Sequence, residues 1–82
     1  MQGKDVARAL VEHGGLTFWS ASKALGRSGQ YLDTVARRGS VPSLDTAAAI
    51  ADVCGCDLVL VDRATGDTVA RVDPPARDNG EG

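Results

Sequence analysis

Covalent chemistry would have to be built from very little in this chain. Its 82 residues hold one histidine, His13, and two cysteines, Cys54 and Cys56, with a single glycine between them. A nucleophile needs a base to activate it and a third group to orient that base. One imidazole and scattered carboxylates do not assemble that set, so the chain is expected not to be an enzyme. Two sulfurs and one histidine also fall short of a four-ligand zinc site, and no metal or cofactor is expected. Cys54 reads as a small buried residue and Cys56 as the residue leading into a strand. Thiols this close rarely pair with each other and suit a reducing cytoplasm. The residues left to carry function are those of non-covalent recognition, concentrated in GRSGQYLDTVARRGSVPS, residues 26–43.

The charge pattern narrows the partner. Net charge is −2, but residues 1–50 carry six basic against four acidic side chains, and residues 51–82 carry three against seven. An acidic total argues against promiscuous phosphate binding, the main source of sequence-independent affinity for nucleic acid. It leaves room for a basic face on the first two thirds, where Lys23, Arg27, Arg37 and Arg38 fall between positions 23 and 38. A chain of this length makes one domain and buries only about 60% of its unfolded surface, so a partner covering more apolar area would help it. No apolar run approaches the roughly 18 residues of a membrane span, and the polar, periodic start is unlike a secretory signal. A cytoplasmic protein with no membrane partner is expected.

The elements that must position the recognition residues follow from periodicity and capping. Val6, Ala7, Leu10 and Val11 form one helical stripe over 4–13, closed by Gly14-Gly15. Thr17 is an N-cap for a second helix, Phe18 to Leu25, ended by Gly26. Ser28 is expected to cap a third helix running to Arg37 or Arg38, with Leu32, Val35 and Ala36 inward and Gly39 as its stop. Ser43 caps a fourth, Leu44 to about Cys54, with Asp45 in the first turn where the helix dipole favours an acid. This last helix offers Leu44, Ala47, Ala48, Ile50, Ala51, Val53 and Cys54 to the core.

Beyond Gly55 the period changes from helical to extended. Leu58-Val59-Leu60-Val61, a turn over 63–67, and a second run over 68–72 read as a β-hairpin. Successive side chains of a strand face opposite ways, so Leu58 and Leu60 lie on one face and Val59 and Val61 on the other. Both faces are apolar, and a lone two-stranded hairpin is marginal in water. One face can rest on the helices and the other implies a second chain, making Leu58, Val59, Leu60, Val61, Val69 and Val72 the candidate dimer interface. Residues 74–82 are poor in apolar side chains and read as a disordered tail.

Two short helices joined by a tight turn, the second followed by a loop and a capped helix, suit a helix-turn-helix. Leu16-Thr17, Ala24-Leu25-Gly26, Ser28, Leu32, Arg37-Arg38-Gly39 and above all Pro42-Ser43-Leu44-Asp45-Thr46 resemble the Cro/cI-type (XRE-like) DNA-binding domain, over roughly residues 4–58. The resemblance implies a mainly α fold: a four-helix, lambda-repressor-like helix-turn-helix domain over 1–56, with the hairpin of 57–73 serving dimerisation. It implies a transcriptional regulator, a repressor of phage or mobile-element type, that binds a palindromic operator in double-stranded DNA as a homodimer. Helix 28–38 would enter the major groove, with Ser28, Gly29, Gln30, Tyr31, Asp33 and Thr34 toward the bases. Gln30 is the best reader, because a carboxamide bonds adenine N6 and N7 in bidentate fashion. Thr17, Lys23, Arg27, Arg37, Arg38 and Ser40 are the phosphate candidates. The hairpin resembles that of small dimeric regulators, including some antitoxins, in which strands of two copies pair and hold two reading helices about 34 Å apart, one turn of B-DNA.

Plainer roles stand beside these. Gln30 and Thr34 also suit an exposed helix face, and Arg37-Arg38 also suit a helix C-terminus as cations complementing the dipole. His13 reads as a last-turn helix residue. Phe18, where the family often has glutamine, and Trp19 depart from the pattern. Two adjacent aromatics on a helix cannot both point inward, so one of them faces a partner or the DNA. Phe18 and Gly29, which gives up a side-chain reader, support with the acidic total a second reading of the same fold: an antitoxin or small inhibitor that neutralises a cognate toxin or other protein partner, docked by Phe18-Trp19 or the acidic tail.

Overall fold

The computed structural model describes residues 1–75; the tail expected over 74–82 lies outside the described residues from position 76 onward. A 3₁₀ turn, Gly3–Asp5, leads into helix α1, Val6–His13. Three more helices follow, α2 (Phe18–Ala24), α3 (Tyr31–Arg38) and α4 (Leu44–Val53), and then strands β1 (Leu58–Val61) and β2 (Thr68–Val72). The described residues are therefore mostly helical, four helices with one two-stranded antiparallel sheet.

Local signals account for most boundaries. Thr17 starts α2 with a reciprocal cap: its Oγ1 accepts the Ser20 N–H at 3.0 Å, and Ser20 Oγ accepts the Thr17 N–H at 3.0 Å. Two otherwise orphaned donors at a helix start are satisfied in this way. Ser43 caps α4 in one direction only, accepting the Thr46 N–H at 3.2 Å. Gly39 ends α3 at φ +65°, a left-handed conformation that only glycine takes without a Cβ penalty.

Two expectations fail here. Ser28 does not cap the third helix, which begins at Tyr31 after a turn in which the Ser28 carbonyl accepts the Tyr31 N–H at 3.1 Å. Gln30 occupies the cap position and makes no side-chain cap bond. The missing oxygen comes from the neighbouring helix: Ser22 Oγ accepts the Leu32 N–H at 3.0 Å while donating to the Phe18 carbonyl at 2.6 Å. Leu44 is not a core residue either, being 68% exposed. As the first residue of α4 its side chain tilts back toward the helix start, past the end of the packed layer.

The central cluster draws on every helix: Ala7 and Val11, Ala21, Leu32 and Ile50, joined by Cys54 just past the end of α4. Leu10, Leu16, Phe18, Leu25, Tyr31 and Val53 pack around it, half-buried. Alanines at 7, 21, 47, 48 and 51 are buried, so helices approach closely and bulk is confined to Leu32 and Ile50. Fully burying each of those two is worth about 1.5–3 kcal/mol.

The hairpin pairs Leu58 with Val72, Val59 with Arg71, Leu60 with Ala70 and Val61 with Thr68, with a bulge between Leu60 and Val61. Its turn is organised by Asp62, whose Oδ1 accepts the N–H groups of Ala64 at 2.8 Å and Thr65 at 3.3 Å. Short polar side chains that bond the backbone ahead of them favour turns of this kind. The sheet packs against α4, and the half-buried pair Leu58 and Val72 marks the end that meets it. Farther out, Val59, Leu60, Val61 and Val69 are all exposed, so the helices cover less of the sheet than a whole face.

Candidate nucleic-acid interface

The residues with recognition chemistry gather around α3. Helices α2 and α3 pack directly on one another, and Ser22, with no exposed surface, is the polar link between them. The turn between them carries Arg27, Ser28 and Gln30 to the surface, with Gly29 half-buried. Thr34, Arg37, Arg38 and Ser40 are exposed along and beyond the helix, whereas Tyr31 and Asp33 are half-buried.

Several of these side chains have partners that define what they are free to do. Tyr31 packs against the core, and the Arg27 guanidinium lies 4.9 Å from its ring centroid. Arg27 and Tyr31 share a shallow cleft with Asp45 and Thr46 of α4, so one carboxylate moderates the charge at that point. Asp33 pairs with Arg37 at 3.0 Å, one helical turn apart. Both are substantially exposed, and such a pair contributes only about 0.3–0.5 kcal/mol. Its effect is to aim the guanidinium and to occupy the Asp33 carboxylate. Thr17 spends its hydroxyl on the cap of α2.

Sequence reasoning passed over two further cations. Lys4, before α1, and Arg8, within it, line one depression together with Arg37 and Arg38 at the end of α3. Asp5 is the one acid among its described lining residues, and Arg37 there is also paired with Asp33. At the other end of α3, Lys23 and Arg27 flank its leading turn. The six basic residues of the first fifty therefore fall into two groups, one at each end of this helix.

The adjacent aromatics divide as a helix requires. Phe18 is half-buried against the core, with the Arg8 guanidinium 5.1 Å from its ring centroid. Trp19 is 61% exposed, with the Lys23 ammonium 5.8 Å from its ring. The Trp19 indole lies against Gly29: a Cβ at Gly29 would run into its Nε1, Cδ1 and Cε2 atoms. Gly29, placed from sequence among the residues toward the bases, is the seat of a tryptophan. The adjacency of two aromatics was the only signal pointing to this; nothing in the spacing linked Trp19 to Gly29.

The thiols take no part in this surface. Burial pushes the Cys54 thiol above its ordinary value, with the nearby Cys56 adding to the shift. Because the raised group is held neutral in the fold, its contribution to stability is complete at neutral pH and is lost only as alkali ionises it. Among the described residues no helix is long and apolar enough to cross a membrane. Comparison with protein-family models, with curated proteins and with solved structures finds no match to this chain.

Proposed function

We propose that this chain is a sequence-specific DNA-binding regulator, a repressor that acts without catalysis and inserts α3 into the major groove as a homodimer. The observation that carries the reading is the bracketing of α3 by cations at both ends, Lys23 and Arg27 at its start and Lys4, Arg8, Arg37 and Arg38 at its close. Phosphates flank a groove on both sides, and cations at the ends of a helix laid in it fix register and orientation. The middle of the helix then faces base edges. Gln30, at the cap position, and Thr34, one turn into the helix, are exposed between the two groups and supply a carboxamide and a methyl-bearing hydroxyl, groups suited to adenine and thymine. Ser28 and Ser40 add hydroxyls at the margins. Tyr31 and Asp33 act through Arg27 and Arg37, the first as a ring beneath a guanidinium and the second as its ion-pair partner.

The α2–turn–α3 unit, with its resemblance to the Cro/cI-type helix-turn-helix over residues 4–58, supports the same reading. So does the exposed apolar hairpin, on which a second copy would set two reading helices about one DNA turn apart. The test is a gel shift with duplexes covering the DNA that flanks the chain's own gene. A shift that weakens steeply with added salt and is not matched by unrelated duplexes is expected; no shift at low salt, or equal binding to every duplex, would sink the reading. The exposed Trp19 and the acidic total favour one alternative, a protein that neutralises a cognate toxin or similar partner. A stoichiometric complex purified from the host and stable to nuclease would support that instead.

A further inference from the structure

We propose that Trp19 belongs to the DNA-contacting surface, with its indole laid along the sugar–phosphate wall beside α3 and the Lys23 ammonium held over it to meet a phosphate. The inference rests on the DNA-binding reading above and extends it to a residue outside that reading's contact set.

Three observations carry it. Trp19 leaves 61% of its surface in water, although the largest apolar side chain in the chain has most to gain from burial. Gly29 is the second. Its φ lies outside the left-handed region, so its backbone does not call for glycine, and an alanine there would ordinarily lower the entropy of the unfolded chain and stabilise the fold. What the glycine provides is space, because the pyrrole edge of the indole occupies the position of its Cβ. The fold thus forgoes burial at Trp19 and keeps a flexible residue at Gly29. In return it has a rigid ring at the turn that leads into α3. Gly29 makes room for the indole and yet the indole stays exposed, a combination that suits the mounting of a contact surface.

The third observation is charge, which selects the occupant. Lys23 lies over the ring itself, and Arg27 projects from the same turn as Gly29. The pyrrole edge is turned toward Gly29, while most of the residue's surface stays in water. An exposed apolar ring with an ammonium over it matches the deoxyribose and phosphate of a duplex wall, where apolar and anionic groups alternate. Cation–π attraction pre-positions the ammonium at about 0.5–1 kcal/mol for an exposed pair, so less side-chain freedom is lost on binding.

Trp19 is the only tryptophan, so its emission reports this contact directly. Titrating the full chain with a fluorescein-labelled duplex from its own flanking DNA, at low salt, gives duplex binding from label anisotropy and the Trp19 environment from intrinsic emission in one sample. The expected result is a quench or shift of emission that saturates together with the anisotropy. Trp19→Ala should weaken binding by about tenfold with its circular dichroism and melting unchanged, and Trp19→Phe should recover part of the loss. Duplex binding with unmoved emission and an unaffected Trp19→Ala variant would overturn this inference while leaving the DNA reading intact. No duplex binding at all would overturn both. Emission that moves with a purified protein partner but not with duplex would overturn the assignment of Trp19 to DNA.

Discussion

Ser22 shows how one side chain can replace a terminal signal. It sits in α2 with no exposed surface, donates to its own helix at Phe18 and accepts from the next helix at Leu32. Substitution by alanine would improve the intrinsic helix propensity of α2 by a few tenths of a kcal/mol. It would also leave the Leu32 N–H buried and unpaired, at a cost of about 1–3 kcal/mol. The second effect wins, so Ser22→Ala is expected to lower the urea midpoint by an amount equivalent to about 1–2 kcal/mol with an unchanged slope. A midpoint equal to wild type would mean that water or another group reaches that N–H. Nothing in the sequence distinguishes Ser22 from Ser20, since the role depends on a carbonyl and an amide brought together only by folding.

At the scale of elements, local signals read well where the partner of a side chain lies within one turn. Thr17, Ser43 and Gly39 act where their spacing says they act, and the hairpin follows from the change of period after Gly55. The start of α3 was misread at Ser28 because its capping oxygen comes from ten residues away. Leu44 was misread because periodicity fixes a face of a helix but not how far along that face the core extends. Of the candidate contact residues, the exposed set at the start of α3 was legible. Lys4, Arg8 and the seating of Trp19 were not, since they depend on how α1 and α2 lie against α3.

That seating makes an element-level prediction. Gly29→Ala alone should be neutral or destabilising, because the new methyl group displaces the indole. In a Trp19→Ala background the same substitution should stabilise by about 0.4–1 kcal/mol, the ordinary gain from a stiffer unfolded chain. The difference between backgrounds, read by thermal or urea melts, is the signature of direct contact; equal effects in both would remove it.

For the whole molecule the decisive feature is the hairpin. Val59 is 39% exposed and Val61 54%, so replacing both with lysine disturbs little of the folded monomer. If a second copy covers this sheet, Val59→Lys with Val61→Lys should sediment as a monomer where the wild type sediments as a dimer. Helical content should be preserved. A wild-type monomer at about tens of micromolar would rule out the proposed assembly, independently of whether one copy can touch DNA.

The exposed valines also bear on how such a regulator would respond to its own abundance. The helices alone bury few large side chains, and a modest apolar patch gives a modest association constant. While single copies predominate, the concentration of pairs rises as the square of the chain concentration, and occupancy of a two-copy site rises with it. Halving the supply of chain then removes about three quarters of the pairs rather than half. A weakly glued hairpin would in this way turn a gradual fall in protein level into a sharp release of its operator.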